Sequence, residues 1–225
     1  MITKFNLSET EIEQNFQEFI DFVKREFKGE RRERLLKMYD EDNLGLSLAM
    51  SPASTTEHFH LCHPGGYIQH VMNVVRLSFA QKKVFEVSGG KVDWTDEEMV
   101  FAALHHDLGK LGDPEFGDYY APQSEEWKTR KGELYKLNPN LPYMEVTDRA
   151  VFLLQKYGVT MTWKEYLGIK LADGIYNEAS KKYLIQYNPE LFMKTELPRI
   201  IHAADYMACF TERNMYTNTK AVEKL

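Results

Sequence analysis

Apolar side chains recur along this chain at intervals of three and four, with polar residues between them, a spacing that predicts helices almost throughout. Ile12, Phe16, Phe19, Ile20, Val23 and Phe27 make the first such stripe. Ser8-Glu9-Thr10-Glu11 stands before it, a hydroxyl followed three residues on by a carboxylate, the pattern of a capping box. Gly29 breaks the stripe, and Glu30 to Tyr39 reads as a short charged helix with Leu35, Leu36 and Met38 inward. Gly65-Gly66 lets the chain turn tightly into a helix from Tyr67 to Phe85, whose apolar side carries Ile68, Val71, Val74, Val75 and Phe79. Thr95-Asp96-Glu97-Glu98 is a second capping box, and Met99, Val100, Ala103 and Leu104 pack the helix it opens. Asp148 to Tyr157 is helical through Val151, Phe152 and Leu154. Thr162-Trp163-Lys164-Glu165 caps a further helix that runs through Leu167, Ile169 and Leu171 to Asp173-Gly174. Asn188-Pro189 starts a short helix, and Leu197-Pro198 opens the last long one, with proline in its first turn. Asn214 to Leu225 reads as frayed or helical.

Two stretches lack this period. Asp42 to Gly66 is irregular and holds His58, His60 and His63, and the hydroxyls and backbone N–H groups of residues 50–56 suit either a phosphate or a plain connector. Residues 113–142 interleave aromatics with cations, among them Tyr120, Trp127, Lys128, Arg130 and Lys131. No strand pair is evident. The expected fold is therefore all-α, one bundle of about eight to ten helices with two long loops. It is read as a single domain over 1–225, with a helical extension at 1–42, a core over 60–210 and an insertion or lid at 113–142.

Composition narrows the picture. With 43% hydrophobic and 28% charged residues the chain can bury a sizeable core. A net charge of −6 excludes a broad cationic surface, so long nucleic acid is not an expected partner. Cys62 and Cys209 form no Cys-x-x-Cys and read as buried thiols, as suits a reducing cytosol. Met1 to Lys4 begins no signal-peptide core, and no apolar run approaches a membrane span. A cytoplasmic protein without a membrane partner is expected; its oligomeric state, homo-oligomer included, stays open.

The chemistry gathers in Ala102-Ala103-Leu104-His105-His106-Asp107-Leu108-Gly109-Lys110. A neutral imidazole beside a carboxylate suits a divalent cation. Within a helix neighbouring side chains point about 100° apart, so both reach one ion only where the helix ends. Gly109 stands where that bend is expected. Lys110 would bring a positive charge to a phosphate oxygen near the ion. Two ligands do not close a site. His70 lies beside the apolar stripe of its helix, and Asp205 lies far downstream, three residues after His202 and on the same face. His202 itself reads as a packed or exposed residue.

The order His70, then His106-Asp107, then Asp205, with Leu-Gly-Lys after the doublet and Pro64-Gly65-Gly66 before the first histidine, resembles the HD-domain phosphohydrolase superfamily over roughly residues 60 to 210. The resemblance implies that His70, His106, Asp107 and Asp205 hold one catalytic metal ion inside a helical bundle: Mn²⁺, Fe²⁺, Zn²⁺, Ni²⁺ or Mg²⁺. Branches that cleave cyclic nucleotides carry further histidines for a second ion. Here only His202 lies between Asp107 and Asp205, which favours a single ion, and the loop histidines are read as structural, with His63 orienting its loop. The resemblance also implies metal-dependent hydrolysis of a phosphoester or phosphoanhydride bond, and the aromatic-cation insertion favours a nucleotide or (d)NTP as substrate. Lys110 is expected to stabilise negative charge, and Asp113 or Asp173 to align water or take its proton, with Glu178 a further carboxylate. Tyr120, Lys128 and Lys131 are expected to hold the substrate. Arg31, Arg32 and Arg34 read as a solvated face rather than an anion site. The rival readings are a non-catalytic nucleotide sensor using the same ion and, needing more histidines and carboxylates than are evident, a two-iron dioxygenase.

Overall fold

The structure, a computed structural model, describes residues 6–222, with no side-chain description at 41 or 219–222. It is all-α in architecture: α1 (Glu9–Glu26), α2 (Gly29–Met38), α3 (Leu46–Met50), α4 (Gly66–Val87), α5 (Asp96–His105), α6 (Glu125–Lys131), α7 (Val146–Lys156), α8 (Trp163–Lys170), α9 (Glu178–Leu184) and α10 (Leu197–Val222). No helix among the described residues is long and apolar enough to cross a membrane.

All three capping boxes form. Ser8, Thr95 and Thr162 accept the N–H of Glu11, Glu98 and Glu165, and each glutamate accepts the cap residue's own N–H. A hydroxyl cap is worth about 1 kcal/mol, so these residues fix where α1, α5 and α8 begin. The long helices α4 and α10 lie along one another, with α5 against α4 and α8 packed on both α5 and α10. Phe19, Val23, Phe27, Leu35 and Met38 belong to the same buried cluster as Phe101, Leu104 and Ile201, so α1 and α2 share the core of the later helices.

The arginines of α2 do internal work. Arg31 donates to buried Glu165 at 2.7 Å, to Glu97 at 3.1 Å and to the Thr160 carbonyl at 3.2 Å, and its guanidinium lies over the Phe101 ring. Arg34 donates to the Gly158 carbonyl and to Glu30. Arg31 is thus a strut between helices, not part of a solvated face.

Four local expectations change. Within Asp42 to Gly66, expected to be irregular, a widened turn over Glu41–Gly45, kinked at Asn43 (φ −123°, ψ −106°), runs into α3, and Leu44 and Leu48, four apart, both enter the core. The insertion contains a short antiparallel pair, β1 (Tyr120–Pro122) with β2 (Tyr135–Leu137). Strands of three residues are too short to show an alternation in sequence. Phe79 is 42% exposed on α4, as are Val84 and Val87 at 57% and 71%, while Phe85 packs on Trp94. Phe152, 40% exposed, faces outward under the Lys156 ammonium.

Candidate metal centre

Helix α5 ends at His105. His106 keeps helical dihedrals, and Asp107 leaves them at φ −105°, ψ 9°, before a tight turn over Leu108–Leu111. The bend therefore falls at Asp107, not at Gly109. Gly109 serves close packing instead: a Cβ there would sit 2.1 Å from the Val146 carbonyl oxygen, so only glycine lets α7 close on the turn. At the other wall, Gly65 takes φ +78° as it caps α4.

The two adjacent histidines part company at this bend. His105 turns into the core, its Nδ1 donating to the Phe101 carbonyl at 2.6 Å and its ring 4.3 Å from that of Phe101. Burial drives its pKa down to about 3, so it is a neutral core residue. His106 donates through Nδ1 to the Ala103 carbonyl at 2.8 Å. A carbonyl accepts only from N–H, so Nδ1 carries a proton and Nε2 is the atom that faces the cavity; burial opposes charge on this ring, and the Asp107 and Asp205 carboxylates raise it.

That atom meets three other groups. His70 Nε2 lies 3.2 Å from Asp205 Oδ1 and 3.5 Å from Asp107 Oδ2. His106 Nε2 lies 3.7 Å and 3.6 Å from the same two oxygens. Both Nε2 atoms are buried and make no hydrogen bond. Donors about 2.1 Å from one ion at angles of 90–110° stand about 3.0–3.4 Å from one another. The observed spacings are close to that, and the donor atoms of His70, His106 and Asp205 all lie within 4.8 Å of each other. These His and Asp groups are positioned to hold a metal ion.

Each of these groups has a partner behind it. His70 Nδ1 donates to Glu212 at 3.0 Å, and the other Glu212 oxygen accepts from Asn73 at 2.8 Å. Burial opposes charge on His70, yet the Glu212 and Asp205 carboxylates outweigh it and raise the imidazole to about 10. Burial likewise opposes ionisation of Asp205, and His106 and His70 overcome it, holding the carboxyl well below the usual range. Asp107 is lowered in the same way by Lys110 and the two histidines. Lys110 Nζ donates to Asp107 Oδ2 at 2.6 Å and to the Ala53 carbonyl at 3.0 Å; the Asp107 charge outweighs burial and keeps it protonated.

Beside this ring opens a cavity of about 390 Å³ lined by His60, Asp107, Lys110, Asp173, Asp205 and Cys209, among others. Larger hollows exist, about 570 Å³ between α1 and α3 and about 710 Å³ along α7 and α8, but they gather no comparable set of ligating groups. Chemistry rather than volume marks the site.

The structure brings the four expected ligands together and sets Asp173 on the same cavity, its carboxyl raised by burial and by the Asp107 charge. It does not bring Asp113 there. Lys156 takes both Asp113 oxygens, at 2.8 and 3.0 Å, and the Glu115 N–H donates to Oδ1, so this buried carboxylate ties a turn to α7. Glu178 is exposed and pairs with Lys181. Lys128 pairs with Glu125 at 2.7 Å and Lys131 is exposed; α6 buries no residue, and neither lysine lines the cavity. Tyr120 is partly buried and feels the Lys110 charge, while burial raises its phenol. The insertion is laced to the preceding loop, Glu57 N–H donating to the Gly132 carbonyl and Leu134 N–H to the Thr55 carbonyl. His202 donates to the Ala172 carbonyl at 2.8 Å and is packed against Gly174.

Three residues of the site differ from the sequence expectations, which make His60 a structural loop histidine and Cys209 a buried thiol and do not name Glu212. His60, assigned to a loop, stands on the cavity wall with its ring 5.0 Å from that of His70; burial and the His70 and Lys110 charges lower it to about 3. Cys209 donates to Asp205 at 3.5 Å. Glu212 orients His70. The signal for the last two is helical: Asp205, Cys209 and Glu212 are spaced by four and three and share one face of α10.

No protein-family model, curated protein or solved structure matches the chain.

Proposed function

We propose that the chain is a metal-dependent phosphohydrolase that cleaves a phosphoester or phosphoanhydride bond of a nucleotide or (d)NTP. One observation carries this reading: two Nε2 atoms without a hydrogen bond and two carboxylates converge at 3.2–3.7 Å on the wall of a cavity that also holds a lysine and a further carboxylate. His70, His106, Asp107 and Asp205 hold one divalent cation; a mixed nitrogen and oxygen set admits Mn²⁺, Fe²⁺, Zn²⁺, Ni²⁺ or Mg²⁺. Such a cation lowers the pKa of water towards neutrality and polarises a phosphoryl oxygen.

The chain's own groups do the rest. Lys110, fixed by Asp107 and the Ala53 carbonyl, presents positive charge where negative charge develops on the phosphoryl oxygens. Asp173, whose carboxyl is already raised, orients water and takes its proton. Glu212 holds His70 in the tautomer that leaves Nε2 free, and partners of this kind commonly tune a ligand's affinity. The order of the ligands along the chain, which resembles the HD-domain superfamily, supports the same reading.

The test is phosphate release from a panel of nucleotides with each metal in turn. Release that falls to background in His106→Ala and Asp107→Ala supports the proposal. Tight nucleotide binding without turnover of any panel member would replace it with a nucleotide sensor.

A further inference from the structure

Helix α10 shows two adjoining faces to solvent near the centre. Asp205 and Cys209 look into the metal cavity. Tyr206, Phe210 and Arg213, one residue further round in each turn, look into a second hollow of about 160 Å³ that they share with Phe59. His60 and Cys209, whose Nε2 and Sγ stand 3.7 Å apart, line both hollows, so the two adjoin across this pair. The second is smaller than the roughly 300 Å³ at which whole-ligand sites begin, and fits part of a molecule whose remainder lies in the first.

Its lining is unusual for solvent-facing surface. Phe59, Tyr206 and Phe210 are 44%, 45% and 42% exposed, although each is a large ring beside a strongly polar centre. The Tyr206 and Phe210 rings stand 5.1 Å apart, the Arg213 guanidinium lies 5.1 Å over Phe210, and Tyr176 extends the row by stacking on Tyr206 at 21°. Exposed π-faces next to a cation bind planar heterocycles by stacking, with little dependence on which base is present.

We infer that the ledge of Phe59, Tyr206 and Phe210 seats the base of a nucleotide whose phosphate lies against Lys110 and the metal centre. This rests on the proposed phosphohydrolase reading and deepens it: base recognition belongs to α10 rather than to the cations of α6. The ledge contributes stacking and carries no base-edge code, so it selects for the presence of a base.

Equilibrium binding separates this from the hydrolase reading. With Mn²⁺ present, the four common nucleoside 5′-monophosphates should each bind at least roughly tenfold more tightly than ribose 5-phosphate, the gain of a single ring stack. In Phe210→Ala and in Tyr206→Ala that ratio should collapse towards one, and Phe210→Trp should restore it; both sites are exposed, so folding is retained. Equal binding of nucleotide and ribose 5-phosphate by the unaltered chain, absence of binding by either, or Ala variants that keep the ratio would overturn the inference. So would a dimer that dissociates in Phe210→Ala with the ratio intact, since the ledge would then belong to a second copy. Absence of phosphate release with a preserved binding ratio would overturn the hydrolase reading alone.

Discussion

The cavity has two walls, and they are built on different principles. The inner wall is three helices, α4, the end of α5 and α10, and each imidazole on it is held twice. His70 faces the centre and is gripped from behind by Glu212; His106 faces it and is gripped by the Ala103 carbonyl. The outer wall is loop and insertion, and of its described residues only His60 lines the cavity itself. Its charged groups have found partners of their own: Asp113 with Lys156, Lys128 with Glu125, Arg130 with Glu126 and stacked over Trp127. The difference teaches that charge near a motif in sequence is not charge near it in space. A helix fixes the direction of its side chains to within a fraction of a turn; an irregular segment lets lysines and carboxylates satisfy one another first.

The largest expected effect lies on the inner wall. His106→Ala or Asp107→Ala should reduce phosphate release to background, because either removes a ligand from the ring; persistence of activity would erase the contrast between the walls. Asp173→Asn should lower kcat by about 10²- to 10⁴-fold, the usual contribution of a positioned base, with metal affinity intact by calorimetry. Its pH behaviour follows from the sign of the shift. Burial raises the Asp173 carboxyl, and a base must be ionised, so kcat/KM should fall with decreasing pH at a higher pH than an ordinary aspartate would dictate. That acidic limb should disappear in Asp173→Asn. Glu212→Gln should weaken metal binding by about 10- to 100-fold, read by competition with a chelator, since it removes the charged acceptor behind His70.

The outer wall should respond weakly. Asp113→Asn should lower stability by about 1–3 kcal/mol in a denaturant melt, leaving Lys156 without its charged partner, with kcat per folded molecule retained. Lys128→Ala and Lys131→Ala should leave kcat/KM within about twofold, as exposed ion pairs contribute little. A tenfold loss in either would show that the insertion reaches the substrate after all.

The same contrast explains what was legible beforehand. The helices announced themselves through period and caps; Ser8, Thr95 and Thr162 each carry a hydroxyl with a glutamate three residues on, a purely local signal. Helix geometry let the His106-Asp107 pair converge at a helix end; His70 and Asp205 were joined to it by the order of residues that resembles the HD-domain superfamily. Glu212 and Cys209 follow from Asp205 because residues at set helical spacing share a face, a periodicity present in the sequence and left unused. His60 had no such signal. Its place depends on how residues 51–63 cross the mouth of the bundle, with Ser54 bonded to the His60 carbonyl and Ala53 N–H to the Leu61 carbonyl, contacts that no spacing encodes. Asp113 misled for the opposite reason: it lies close to the motif in sequence, but Lys156, forty-three residues away, claims it.

The most direct test is crystallographic. Crystals grown with Mn²⁺ and measured at its absorption edge should show one anomalous peak per chain, about 2.0–2.3 Å from His70 Nε2, His106 Nε2 and carboxylate oxygens of Asp107 and Asp205. A peak bound elsewhere, or none at this position in the presence of excess Mn²⁺, would contradict the account.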